Sequence, residues 1–375
     1  MSVTPRRILH VFSTFDPGGP QLRQAHLFGK LPAHWSHEIL AMDGRTGAQR
    51  HLPADRDCRL IEVPAERGLL AIRRRGRFLA SRRSDLIVTY NWGAFDMLAA
   101  ARLQGLRPLL HVVDGFRPDE AQGEIGRRRW ARRMLYRRVD GVVVISEQLR
   151  DLARDSWRVP ASRLHFIPNG IELERFAHGD RHEARARWKL PDDALVLGAV
   201  GGLRPVKDHA TLIRAFTALE AGPGTLLALA GDGELRPDLE TLARDLGVAD
   251  RVHFLGHVDD TSLLYPALDL LVFSSKSEQM PITALEAMAS SLPIVATAVG
   301  DLPRMLPEAE VDLLAPPDDV PALTARIRPF LGSPDLRERT GLTNLARCRE
   351  TCSDEVMVAS WEKLLTELLD RRGTP

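Results

Sequence analysis

Short apolar runs alternate with helix-length stretches along almost the whole chain, and few architectures accept that rhythm. The runs cover residues 8–12, 38–41, 60–63, 86–89, 109–113, 142–145 and 164–167 in the first half. Residues 195–200, 226–230, 252–255, 270–273 and 294–297 continue the series in the second. Each is short, rich in Val, Ile and Leu, and shows little polar alternation, which is the pattern of strands buried on both faces of a parallel sheet. Stretches such as 211–220 and 238–247 lie between them and are long enough for crossover helices. Alternating β and α elements of this kind predict α/β doubly wound sheets. A length of 375 residues favours two domains. The Gly-containing, charged stretch 175–190, followed by Pro191-Asp192-Asp193 before a new strand, marks the break, giving an N-terminal domain of residues 1–185 and a C-terminal domain of 186–375. The last helical pattern, 354–369, follows the second domain and is free to pack back on the first. Two such domains would face each other across a cleft, with ligands outside the carboxyl ends of the strands.

Apolar residues make up 44% of the chain and charged residues 27%, an ordinary globular balance. No apolar run approaches the ~18 residues of a membrane-spanning helix. The opening Arg6-Arg7-Ile8-Leu9-His10 reads as a first strand and not as a signal peptide. Three cysteines, Cys58, Cys348 and Cys352, form no disulfide framework, which suits a reducing cytosol. The net charge of +1 hides an asymmetry: residues 1–185 hold 32 Lys and Arg against 21 Asp and Glu, and the remainder 19 against 29. A basic first half suits an anionic partner, although solvated arginine-rich helix faces explain it equally well.

The strongest local signal is Ser277-Glu278-Gln279-Met280-Pro281-Ile282-Thr283-Ala284-Leu285-Glu286. Two glutamates stand eight positions apart just past a buried strand. Pro281 fits the first turn of a helix, where its missing N–H is no loss. Glu278 then belongs to the strand-to-helix loop and Glu286 to the helix itself. Two carboxylates at different depths can each accept hydrogen bonds from vicinal hydroxyls, and the helix start between them offers free N–H groups to a phosphate. A capping glutamate plus a surface glutamate gives the same spacing.

The wider pattern resembles the family 4 retaining glycosyltransferases of the GT-B fold, also called glycosyl transferases group 1. The segment 277–286 matches their E-x7-E motif. Leu292 to Gly300 continues it as in that family, as do Leu229-Ala230-Gly231-Asp232-Gly233-Glu234 and Arg251 to Val258. Gly198 to Phe216 resembles the family's first strand, phosphate loop and helix of the second domain, and Val142 to Ser146 and Ile167 to Ile171 its closing elements of the first domain. The resemblance implies a GT-B fold of two Rossmann-like domains, acceptor-binding then donor-binding, and a nucleotide diphosphate-sugar (UDP or GDP) as donor substrate. It implies that Glu278 holds hydroxyls of the transferred sugar and Glu286 those of the ribose, with Gln279, Met280 and Ile282 beside them. The loop containing Gly202, Arg204 and Lys207 would hold the diphosphate. Leu255, Gly256, His257 and Val258 would meet the base through their backbone. The family usually carries Arg immediately before the loop's Leu; Gly202 stands there in this chain. Either Arg204, with its bidentate fork, takes over the contact or the diphosphate is held more loosely.

In the first half, Gly18 and Gly19 precede a helix beginning near Pro20, and the family's double glycine at this place contacts phosphate. A plain tight turn fits the same residues. The dehydrogenase fingerprint GxGxxG is absent. Many relatives place a His at the end of the strand over residues 108–113; this chain has Asp114 there and His111 three residues earlier. Asp114 is read as the catalytic-site residue, able to stabilise an oxocarbenium ion or bind a sugar hydroxyl, and His111 as a core histidine. Catalysis is thus assigned to Asp114, Glu278 and Lys207. No Asp-x-Asp stands at the carboxyl end of a strand, so no metal and no cofactor is expected; basic side chains and helix ends would stabilise the leaving group.

The basic stretch 127–138 is helical in pattern, and Trp130 and Met134 among its arginines could touch anionic lipid. The expected partners are therefore the donor, a saccharide or lipid-linked acceptor in cell-surface polysaccharide synthesis, and an anionic membrane, with no nucleic acid. The expected place is the cytoplasm at the inner face of the membrane. A catalytically weak family member acting as a nucleotide-sugar or glycan binding subunit is the rival reading.

Overall fold

A computed structural model describes residues 5–63, 71–116, 118–120 and 123–371. Among these, two parallel sheets account for every named strand. The first holds β1 (Arg6–Phe12), β2 (Trp35–Ala41), β3 (Asp57–Ile61), β4 (Leu86–Tyr90), β5 (Leu109–Val113), β6 (Gly141–Val144) and β7 (Leu164–Phe166), in the order β3-β2-β1-β4-β5-β6-β7. The second holds β8 (Leu195–Val200), β9 (Thr225–Ala230), β10 (Val252–Gly256), β11 (Leu270–Phe273), β12 (Ile294–Thr297) and β13 (Leu314–Ala315), in the order β10-β9-β8-β11-β12-β13. Each apolar run of the sequence falls on or overlaps a strand. The two-residue β13 was missed because it is too short to show any period.

The strand order reverses between β1 and β4 in the first sheet and between β8 and β11 in the second. In open α/β sheets a crevice forms there, at the carboxyl ends of the strands. Register fixes both places: Val11 pairs with Thr89, and Leu271 with Gly198.

The chain divides into two compact units, one of residues 1–169 with 355–375 and one of 170–354. The first unit's core joins Ile8, Phe12, Phe28 and Val112 to Trp361, Leu365 and Leu368 of the helix Asp354–Asp370. The second packs Leu197, Leu229 and Val272 against Phe216, Ile327 and Phe330. The units meet at 169/170 and not at the expected 185/186. The reason is the helix Arg181–Trp188, whose fully buried Arg185 donates to Asp269 Oδ2 (2.9 Å) and to the carbonyl of Pro191 (2.8 Å). Asp269 in turn accepts from the β8 amide of Val196 at 2.7 Å, so this helix belongs to the second sheet.

The basic helix Gly126–Tyr136 also differs from expectation. Arg128 and Arg132 are buried, not solvated. Arg132 donates to both oxygens of Glu120 (2.8 and 2.7 Å) and to Glu124 (3.1 Å), while Arg128 donates to Asp119 and Glu120. The Arg132 guanidinium lies over the rings of Trp92, Phe116 and Trp157 at 5.1, 5.1 and 5.6 Å. A planar, weakly hydrated guanidinium is suited to such stacking. Arg127, Arg129, Arg133 and a 65%-exposed Trp130 form the outer face. Among the described residues, no helix is long and apolar enough to cross a membrane.

Candidate active site

In the second unit, the loops that leave β8 and β11 are stitched to each other. Lys276 N–H donates to Val206 O (2.8 Å), and Ser274 Oγ to Lys207 O (3.0 Å). Thr297 on β12 donates to Ser275 O at 2.7 Å. Lys276 also contacts Asp208 (3.6 Å) and Asp318 (2.5 Å). These ties bring Lys207 and Glu278 together: Nζ lies 2.5 Å from Glu278 Oε1, which also accepts from Ser275 Oγ at 2.7 Å. The backbone at Glu278 is closely covered. A Cβ on Gly300, which has φ +59°, would sit 2.1 Å from the Glu278 carbonyl oxygen, so only glycine fits.

Lys207 ends a 3₁₀ turn, Pro205–Lys207, that leads into the helix His209–Ala218. Asp208 caps that helix from the left-handed region, φ +47°, accepting from Thr211. Burial, with the Lys207 charge beside it, pulls His209 down to about 4, which keeps its ring neutral. Arg204 is exposed, and a Cβ on Gly202 would lie 3.2 Å from Arg204 Nε.

Pro281 occupies the N-cap position of the helix Ile282–Ala289, one residue ahead of the expected first turn. Gln279 O accepts from Asp301 N–H (2.8 Å), and Met280 is buried. Glu286, in the helix's second turn, is held at Oε2 by Tyr265 Oη (2.8 Å) and Thr261 Oγ1 (3.1 Å). Burial raises its carboxyl above the ordinary range against the lowering effect of these donors. Tyr265 and Thr261 escaped the sequence reading; they lie 21 and 25 positions away with no local pattern linking them to Glu286. Leu255 and Gly256 close β10, and Gly256 O accepts from Gly231 N–H (2.8 Å); His257 beyond it is exposed and Val258 partly so.

In the first unit, Gly18 is the N-cap and Gly19 the first residue of the helix Gly19–Lys30, with Pro20 in its first turn and no acidic residue there. Gly18 has φ −169°, extended backbone open to any residue, so nothing in its own conformation demands glycine. Asp114 follows β5 directly. Its Oδ1 lies 2.6 Å from Arg23 Nη2, both side chains being almost wholly buried. The contact is a close ion pair whose angles miss hydrogen-bond alignment. Asp114 Oδ2 accepts from Asn91 Nδ2 (3.1 Å), and Asn91 Oδ1 accepts from Asp114 N–H (2.7 Å). His111 is elsewhere, fully buried between Thr89 Oγ1 (2.7 Å) and Tyr136 Oη (2.9 Å). Burial and then the Arg132 charge pull it down to about 3, leaving a satisfied neutral core histidine.

Comparison with known proteins bears on both units. The profile described as "Glycosyl transferases group 1" matches residues 180–344, and that of "Glycosyl transferase 4-like domain" matches 18–170. D-inositol 3-phosphate glycosyltransferase of Actinosynnema mirum is 33% identical over 254 residues, 61% of this chain and 60% of that protein. Alpha-D-kanosaminyltransferase of Streptomyces kanamyceticus is 30% identical over 220 residues, 56% of each. The match thus spans less than two thirds of the length of either relative. Among solved structures, sucrose-phosphate synthase from Thermosynechococcus elongatus superposes with a TM-score of 0.81 at 23% identity, covering 98% of this chain and 100% of that one. Anabaena HepE in complex with UDP and glucose gives 0.77 at 20% identity, covering 97% and 99%. With both profiles matched in order and both parallel-sheet units in place, the chain belongs to the group 1 glycosyl transferases and has the GT-B fold.

Proposed function

We propose that this chain is a retaining glycosyltransferase that moves a sugar from a UDP- or GDP-linked donor to a hydroxyl of a saccharide or lipid-linked acceptor, without a metal. The observation that carries the reading is the Lys207–Glu278 ion pair at the carboxyl ends of β8 and β11. It sets a cation for a diphosphate and a carboxylate for sugar hydroxyls side by side at the sheet's reversal point. Glu286, held by Tyr265 and Thr261, takes the ribose, and the backbone from Leu255 to Val258 takes the base. Gly202 leaves the room in which Arg204 lies, which supports Arg204 as the second phosphate ligand. Gly18 and Gly19 contribute phosphate contacts from the first unit. The name of HepE's bound ligands, UDP and glucose, supports the donor class. Relatives named for D-inositol 3-phosphate fit a polyhydroxyl acceptor that carries charge.

In the reaction, the bond between the sugar's anomeric carbon and the diphosphate oxygen breaks. The acceptor oxygen bonds to the same face, and its proton passes to the departing diphosphate. Asp114 steadies the positive charge that develops on the sugar, and Lys207 and Arg204 the negative charge that develops on the phosphate. The test is a melting-temperature screen with UDP, GDP and ADP, followed by transfer or slow hydrolysis of the matching sugar donors in EDTA. Stabilisation by UDP or GDP, with turnover that survives EDTA, is expected. Nucleotide binding with no turnover of any donor would make the chain a binding subunit, and complete inhibition reversed by Mg²⁺ would overturn the metal-free mechanism.

The outer face of the helix Gly126–Tyr136 supports peripheral contact with an anionic membrane at the cytoplasmic side. Arg127, Arg129 and Arg133 surround the exposed Trp130. Each such cation contributes roughly 1 kcal/mol near an anionic surface, screened by salt. Replacing these three arginines with Gln and Trp130 with Ala should abolish sedimentation with anionic vesicles at low salt while leaving the fold intact. Equal binding of the parent protein to neutral and anionic vesicles would sink this reading. Arg128 and Arg132 are excluded from the test because their charges are spent inside the unit.

A further inference from the structure

Asn91 directly follows β4 at the reversal point of the first sheet, and its backbone is unusual. It has φ +57° and ψ −178°, a region that side-chain-bearing residues rarely enter. The conformation is held from two sides. Asn91 N–H donates to Val112 O on β5 at 2.8 Å, and its side-chain amide clasps Asp114 reciprocally, donating to Oδ2 and accepting from N–H. The next residues leave the backbone little choice, since a Cβ on Gly93 would lie 2.1 Å from Ser13 Cβ, at the end of β1. On the other side of Asp114, the fork of Arg23 reaches two groups at once: Nη2 lies 2.6 Å from Asp114 Oδ1, and Nη1 donates to Asn169 Oδ1 at 2.8 Å. Asp114 is therefore gripped at both carboxylate oxygens and at its N–H, by residues far from it in sequence.

We propose that Asn91 and Arg23 are positioning residues that hold the Asp114 carboxylate in one orientation at the ends of β1, β4 and β5. A strained backbone is kept where the side chain it aims does something that a relaxed one could not. A core contact needs no such expense, because glycine at this φ would relieve the backbone and lose only the clasp. The inference rests on the assignment of Asp114 to the reacting sugar made above.

The experiment compares Asn91→Gly, Arg23→Lys and Asp114→Asn with the parent for kcat, KM, UDP affinity and melting temperature. Asn91→Gly is expected to fold with an unchanged or raised melting temperature and unchanged UDP affinity, while kcat falls about 10- to 10²-fold, as expected when a reacting group is left misaligned. Arg23→Lys keeps the charge but cannot reach Asp114 and Asn169 together, and should lower kcat with UDP affinity unchanged. A merely structural role predicts the reverse for Asn91→Gly: any loss of activity would follow a fall in melting temperature. That result overturns the inference. So does parental kcat in Asn91→Gly beside an impaired Asp114→Asn, which would leave the assignment of Asp114 standing. A parent enzyme that turns over no sugar donor would overturn both.

Discussion

Lys207→Ala is expected to lower turnover by about 10²- to 10³-fold, the effect of removing one preorganised charge from a leaving group. The pairing of Lys207 with Glu278 at 2.5 Å adds a second consequence. Without the ammonium, Glu278 is a partly buried carboxylate that still accepts from Ser275 Oγ, close to where a diphosphate must sit. The variant should therefore bind UDP worse than the loss of one charge-assisted hydrogen bond alone explains. Such a bond is worth about 1.5–3 kcal/mol. Removing the carboxylate as well, in Lys207→Ala with Glu278→Gln, should restore part of the UDP affinity while leaving turnover low, because Glu278 is itself assigned to the sugar. Isothermal titration of UDP against the parent, both single variants and the double variant closes the cycle. Strict additivity would show that the ion pair and the phosphate site are independent.

The largest expected effect on stability lies in the first unit, at Glu120. Its side chain is fully buried and takes Arg132 through both oxygens, Arg128 at 3.0 Å and the amide of Ile125 at 3.2 Å. Glu120→Ala leaves Arg132 with Glu124 alone beneath the three aromatic rings, and should cost about 3–5 kcal/mol in a urea titration. Replacing the pair together, Glu120→Leu with Arg132→Met, should recover much of that loss. Burial pushes the Glu120 carboxyl up, but hydrogen bonds from Arg132 and Arg128 outweigh it and leave it below the usual range. A lowered carboxyl stabilises the fold fully above the ordinary glutamate range, near pH 4.3, and that contribution is lost as pH falls through the folded value. The parent should thus lose stability in acid below about pH 4.3 more steeply than Glu120→Gln. Equal acid profiles would remove Glu120 from the account.

The two sheets were legible because strands buried on both faces leave continuous apolar runs, and the loops after β8 and β11 were legible because their residues form ordered local motifs. What escaped is non-local. Arg23, Asn91 and Asn169 converge on one another or on Asp114 from separate elements, and no period or spacing announces that. Tyr265 and Thr261 carry Glu286 in the same way. The basic helix misled for a different reason: seven arginines within residues 127–138 read as a wet face. Arg128, Arg132 and Tyr136 instead form its inner stripe, spaced four apart. The available signal was the acidic trio Asp119, Glu120 and Glu124 just upstream, within reach of the two buried guanidinium groups, which share Glu120.

The helix Asp354–Asp370 sets the order in which the chain can be completed during synthesis. The first 169 residues emerge from the ribosome early but lack Trp361, Leu365 and Leu368, which fill their core. Residues 170–354 contain all the strands of the second sheet and can close as soon as they are made. The unit translated first is therefore the one finished last, and until then its unsealed apolar face is a natural client for chaperones.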